Sequence, residues 1–463
     1  MIQVMKGVVQ FLGLLLITGF VHAQPVPKQL SEAVALLEGD SQMKYALLGF
    51  YVVDQKTGAV VFDKNAKVGL AVASTQKVIT STASLDLLGT GYRYKTELAY
   101  DGTIDNGVLS GNLYLVGYGD PTLGSWRYDN TKEQLLLNNW IKAIKQAGIK
   151  QINGSVVAYD KNFESQTIPG GWIWDDIGNY YGAGASGLNW RENQYDLKLK
   201  SGSNDGDNVT IVSTVPKLYN VNLINELSAG KAGSGDNAYI YLPPYASTGY
   251  VRGTIPPGQP AFTVSGSFPD PAAQLAGVFT DELVKQGIAV NLNGNNSPVK
   301  TLPKVTNLLT HLSPALDNIN NWFLKKSINL YGEALVKTIG FEKKNDGSLS
   351  AGLSIIKNFW KGNSIDVLSI RMVDGSGLSP QNRITPEALV KVLQFAQSKS
   401  WFNSFYNALP EYNGIKMKSG TIGGVKSFTG YVGGYTFAIV INNYNGSSSE
   451  ITRKMYKVLD VLK

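Results

Sequence analysis

"LAVASTQKVITSTASLDLLG", residues 70–89, opens in small apolar residues, sets Ser74 and Lys77 three apart, and runs on through Val78, Ile79, Ala83, Leu85 and Leu88. The apolar positions predict a helix, and residues i and i+3 share a helix face. Ser74 and Lys77 therefore point to one side at the helix N-terminus, where free N–H groups and the helix dipole favour developing negative charge. An amine among apolar neighbours is poorly hydrated, and desolvation lowers a lysine pKa. A neutral amine beside a hydroxyl is an activated nucleophile.

Composition leaves few other bases for a serine. The chain of 463 residues has no cysteine, which excludes disulfides, a thiol nucleophile and a lipidated N-terminal cysteine. Of two histidines, His22 falls in an expected leader. His311, in "LLTHLSPAL", reads as a helix-entry residue, and no G-x-S-x-G elbow accompanies it. Zinc chemistry, which wants several His or Cys ligands, is equally disfavoured. No metal or cofactor is implied.

Residues 1–23 carry Lys6, an apolar run from Val8 to Val21 and a Val21-His22-Ala23 cleavage pattern, which predicts a secretory signal and an exported protein, periplasmic or wall-associated. No later stretch is apolar enough to span a bilayer. The final segment "ITRKMYKVLDVLK" reads as a core-packing helix, with a surface membrane anchor as the alternative. Removing Lys6 takes the formal charge from +7 to +6, a weak bias toward anionic surroundings. An exported chain without long basic runs is not expected to bind nucleic acid.

S-x-x-K alone is a weak signal, since it also begins at Ser41, Ser228, Ser297 and Ser354. Ser228 and Ser297 read as loops, Ser41 as a helix or linker start, and Ser354 as one position in an amphipathic helix. Only Ser74 opens an apolar helix. Two further motifs supply a proton relay and a carboxylate holder. Ser327-Ile328-Asn329 lies between helical runs, whereas the other S-x-N, Ser110-Gly111-Asn112, lies in a strand-rich stretch. A literal Lys56-Thr57-Gly58 reads as a hairpin turn. Lys418-Ser419-Gly420 sits on an alternating strand, where Gly420 is expected to let a substrate backbone lie alongside.

"ASTQK", "KKSINLYGEALVKTIG", "DGSGLSPQNRITP" (374–386) and "KSGTIGGVKSFTGYV" together resemble the class C low-molecular-weight penicillin-binding proteins, the D-alanyl-D-alanine carboxypeptidase/endopeptidase family. The resemblance spans about residues 30–463 and is faint in the middle. It implies Ser74 as acylated nucleophile, Lys77 as its base, Ser327 and Asn329 as the second motif, and Lys418, Ser419 and Gly420 as the third. Ser419 stands where threonine is usual. The expected reaction is acyl transfer at peptides ending in D-Ala-D-Ala, with the N–H groups of Ser74 and Thr421 as oxyanion hole. Peptidoglycan peptides and β-lactams are the implied partners. A β-lactamase or esterase on the same core, or a non-catalytic wall-binding protein, are the alternatives. Lys418 is expected to stay charged and help keep Lys77 neutral.

The interval of 253 residues from Ser74 to Ser327 exceeds what such a core needs. The predicted fold class is α+β: a serine–lysine transpeptidase-like core, an antiparallel sheet flanked by helices, with a large inserted β-rich domain. The expected division is 1–23 signal, 24–95 core, 96–265 insertion and 266–463 core. Within the insertion, "GAGASG" (182–187) reads as a flexible turn, not a nucleotide site. "GGWIWDDIGNYYGAG" (170–184) reads as an exposed loop, with substrate contact as the alternative. The family resemblance implies an acid and an aromatic residue here that pocket the free amino end of a diaminopimelate side chain. By position these are Asp176 and Tyr181, with Asp175 a near alternative. The family's arginine after "DGSGLS" is replaced by Pro380, and Arg383 stands three residues on.

Overall fold

The computed structural model describes residues 25–291 and 299–463, so the expected leader and the Ser297 motif lie outside the described residues. Six strands form an antiparallel sheet in the order Glu411–Tyr412, Ile415–Ile422, Val425–Val432, Tyr435–Asn442, Leu47–Asp54, Val60–Lys64. The two longest apolar runs, "LLGFYVVD" and "YTFAIVIN", pair at its centre and are buried on both faces. Their alternate residues serve different cores, because successive side chains leave a strand on opposite sides. Phe50, Val52, Phe437 and Ile439 pack with Leu30 and Val34 of helix Val26–Glu38 and with Ile451 and Met455 of helix Ser448–Leu459. The final helix is thus a core element. Tyr51, Val53, Ala438 and Val440 face the other core, built with helices Lys77–Leu88, Asn329–Lys344 and Pro386–Gln397.

Helix Lys77–Leu88 is buried continuously from Lys77 to Leu85. Burial of its hydroxyls is offset by hydrogen bonds: Thr80 donates to the Gly375 carbonyl at 2.6 Å and Ser81 to Asn320 Oδ1 at 2.6 Å. Lys56-Thr57-Gly58 forms the expected hairpin turn, with Asp54 accepting from the Lys56 and Thr57 N–H groups and Gly58 at φ +72.

The chain leaves the core at Tyr94 and returns at Ser313, and these two residues hydrogen-bond each other. Among the described residues between them lie two four-stranded and two three-stranded sheets around a separate core that includes Leu98, Trp140, Trp190 and Phe279. Helix Pro271–Lys285 packs in that core, and strand Thr306–Leu312 pairs with Lys95–Tyr100. We propose to draw the end of the insertion at these contacts, near Ser313, and not at 265. His311 lies on this strand and not at a helix entry, and burial holds its imidazole down to about 4. Ser228 lies on strand Asn222–Ala229 and not in a loop. Ser354 and Lys357 are exposed on helix Leu349–Gly362.

Candidate active site

Ser74 sits in the 3-10 turn Ala73–Gln76, which runs into helix Lys77–Leu88. In a 3-10 turn residues i and i+3 eclipse, and Lys77 Nζ lies 3.0 Å from Ser74 Oγ. Ala73 takes φ +49, a left-handed conformation uncommon for a residue with a side chain.

Lys77 is fully buried and has two further partners: Asn329 Oδ1 at 2.6 Å and the Ser376 carbonyl at 2.8 Å. Burial pushes its pKa down to about 7, against the opposing charges of Asp374 and Glu333. Asn329 is the first residue of its helix, and its amide donates to the Tyr181 carbonyl at 2.8 Å. Ser327 precedes that helix at φ +57.

The strand Ile415–Ile422 runs beside the nucleophile turn. Gly420 is required by this approach: a Cβ there would come within 2.5 Å of the Val72 carbonyl and 3.0 Å of the Ser74 nitrogen. Its lack of a side chain therefore admits the Ser74 turn. Ser427, paired with Gly420, donates to the same Val72 carbonyl at 2.6 Å. Ser419 is half-buried, and exposed Thr421 accepts from Lys426 Nζ at 2.9 Å.

Lys418 is buried and donates to the Ser419 carbonyl at 2.9 Å. Burial first, then the positive charges of Lys77 and Lys426, hold its pKa well below the usual lysine range. The ammonium form of Lys418, expected to persist, is thus disfavoured in the unliganded site, as that of Lys77 is. Lys77 has carboxylates behind it, while the charges acting on Lys418 are cations.

Two residues that sequence reasoning gave no role organise the rear of the site. Asp374 is fully buried and accepts five hydrogen bonds, from Gln76, Asn382 and Trp172 side chains and the Gly377 and Ser379 N–H groups. These bonds fold the 374–382 loop so that the Ser376 carbonyl meets Lys77. Glu333, one helical turn beyond Asn329, accepts from the Gly375 N–H at 2.8 Å, and burial pushes its carboxyl up to about 8. Its i+4 spacing from Asn329 was the available signal.

The 170–184 segment divides. Trp172 is buried and anchored on Asp374 at 3.0 Å, while Trp174 and Asp175 are exposed. Asp176 and Tyr181 share a side-chain hydrogen bond, and burial raises the Asp176 pKa. Through the Tyr181 carbonyl this pair is tied directly to Asn329. "GAGASG" is a packed turn, in which the Ala185 carbonyl accepts from buried Lys337 at 3.2 Å. Arg383 turns back on its own loop, donating to the Pro380 and Asn382 carbonyls.

Comparison with known proteins places this geometry. The D-alanyl-D-alanine carboxypeptidase of Actinomadura sp. (strain R39) is 27% identical, with 90% of this chain and 82% of the relative covered. The Haemophilus influenzae D-alanyl-D-alanine carboxypeptidase DacB is 26% identical over 75% of this chain and 70% of its own. The crystal structure of penicillin binding protein 4 (dacB) from H. influenzae shares the fold, with a TM-score of 0.79 at 21% identity, covering 93% of this chain and 98% of that one. Residues 30–411 match the D-Ala-D-Ala carboxypeptidase 3 (S13) family, and with its serine–lysine centre on the expected α+β core the chain belongs to that family.

Proposed function

We propose that this serine-type D-Ala-D-Ala carboxypeptidase acts on peptidoglycan stem peptides and cross-links through an acyl-enzyme on Ser74, and that β-lactams acylate the same hydroxyl. The surroundings of Lys77 Nζ carry this reading. Asn329 Oδ1 and the Ser376 carbonyl can only accept, so they take both N–H bonds of a neutral amine. The remaining lone pair is directed at the third neighbour, Ser74 Oγ. Lys77 is thus arranged as the acceptor of the Ser74 proton.

In the reaction, Ser74 Oγ attacks the penultimate carbonyl and its proton passes to Lys77. The N–H groups of Ser74 and Thr421 stabilise the oxyanion, a role supported by the close approach of Gly420 to the Ser74 nitrogen. Lys418 and Ser419 hold the terminal carboxylate. The C–N bond breaks as Ser327 hands the departing D-alanine nitrogen the proton held by Lys77. Water then attacks the ester, giving its proton back through Lys77, and releases the shortened peptide and free Ser74. Asp176 and Tyr181 contact the amino end of the side chain on the peptide.

A second H. influenzae penicillin binding protein 4 structure, with a TM-score of 0.75, holds a β-lactam, which supports acylation by that class of compound. Among the described residues no helix is long and apolar enough to cross a membrane. Together with the leader pattern this supports an exported, periplasmic or wall-associated enzyme. Mapping the adduct of a labelled penicillin tests the assignment: it belongs on Ser74 and is lost in Ser74→Ala. An adduct on Ser41, Ser228, Ser297 or Ser354 refutes it.

A further inference from the structure

The three-stranded sheet of Asn222–Ala229, Thr248–Ile255 and Asn237–Tyr241 has one face in the core of the insertion and one face uncovered. Leu227, Ile240 and Val251 are buried on the inner side. Cross-strand register puts Tyr239 opposite Arg252 and Tyr241 opposite Tyr250 on the outer side, with Ile224 beside Tyr250. Tyr239, Tyr250 and Ile224 are 41%, 37% and 37% exposed, and Trp174, 50% exposed, leans over Tyr241 with ring centroids 5.8 Å apart. A contiguous exposed apolar surface of this kind marks an interaction site.

We propose that this face binds the glycan backbone of peptidoglycan, a polymer of N-acetylated pyranose rings, and so holds the polymer while its stem peptide occupies the Ser74 cleft. The inference deepens the proposed function and rests on it for the identity of the polymer. Three observations select this occupant. The face is continuous with the cleft: the segment that carries Trp174 also carries Tyr181, whose carbonyl is bound by Asn329. Its rings are grouped, with Trp174 and Tyr239 each beside Tyr241 at tilts of 33° and 37°, and Tyr239, Tyr250 and Trp174 remain partly exposed. Rings of this kind suit a ligand with both C–H faces and hydroxyl groups. Arg252, the cation on this face, is paired with Glu226 on the neighbouring strand and also covers the rings of Tyr241 and Tyr250, while Asp175 shares a hydrogen bond with Tyr241. A sugar backbone, with hydroxyl and amide groups beside its C–H faces, suits a face that is aromatic, has its cation already paired and carries a carboxylate able to accept hydrogen bonds.

The test titrates the full protein with glycan strands stripped of stem peptides, which requires no turnover. Wild type is expected to bind them saturably, and to keep doing so in about 0.5 M salt, where the screening length is only a few ångströms. Tyr239→Ser combined with Tyr250→Ser should weaken binding at least about tenfold, as loss of two exposed aromatic anchors does. The corresponding double Phe variant should stay within about twofold of wild type, since the ring faces remain. With folding verified by circular dichroism, the Ser variant should cleave soluble D-Ala-D-Ala peptides at the wild-type rate and intact sacculi more slowly. Absence of saturable binding by wild type, equal binding by the Ser variant, loss of binding in high salt, or equal competition by free stem peptides each overturns the proposal. A missing adduct on Ser74 would instead overturn the reading of the catalytic centre.

Discussion

Lowering the pH should switch off acylation before it harms the fold, because the base is a lysine and its burial sets the switch. Lys77 loses hydration in a fully buried site, which pulls its pKa from 10.5 to about 7 despite Asp374 and Glu333. The reactive form is the neutral amine, so half is available near pH 7 and roughly a tenth one unit below. The second-order rate of acylation by a fluorescent penicillin, followed by stopped flow, should rise about tenfold per unit from about pH 5 to 6.5 and level off above about 8. A rate that is flat across that range refutes a lysine base. Stability supplies an independent check with a defined sign. Between about pH 7 and 10.5 the unfolded chain binds a proton at Lys77 that the folded chain does not, so this residue's contribution to stability rises with pH across that window. Denaturant unfolding of wild type should therefore gain on Lys77→Met as pH increases through it. A constant difference between the two would show that Lys77 is not held neutral.

Lys418 leads to a second expectation. Since its ammonium is disfavoured in the unliganded site, binding of a terminal carboxylate should draw in a proton, and calorimetry of a D-Ala-D-Ala peptide on Ser74→Ala in two buffers of different ionisation enthalpy should show proton uptake. Equal heats in both buffers would contradict it. Gly420→Ala should lower acylation at least about 100-fold while leaving the thermal transition cooperative, because the added methyl meets the Val72 and Ser74 backbones as well as the Ser427 hydroxyl, and the backbones cannot turn aside. Asp176→Asn should reduce the preference, in kcat/KM, for peptides with a free side-chain amine over acetylated ones. An unchanged ratio would leave the Asp176–Tyr181 pair without a recognition role. Selectivity for a side-chain carboxylate should be weak, because Arg383 is already bonded to its own loop.

What could be read in the sequence was what depends on local spacing. The step of three positions from Ser74 to Lys77 sets their contact through one turn of backbone, and the hairpin turn at Lys56-Thr57-Gly58 is closed by its own neighbour Asp54. What could not be read depends on contacts distant along the chain. His311 and Ser228 were misplaced because their strands are held by partners far away in sequence, Lys95–Tyr100 and Thr248–Ile255. The role of Gly420 followed only from seeing Val72 across from it, since glycine permits a close approach without saying what approaches. The surroundings of the two lysines were out of reach for a related reason. Both are buried, and burial alone lowers both. The difference arises because Asp374, 297 positions from Lys77, is fixed behind it by five hydrogen bonds, whereas the charged neighbours of Lys418 are Lys77 and Lys426. A site built from three distant segments can therefore be named from its motifs, but the protonation state on which its chemistry turns is a property of their assembly.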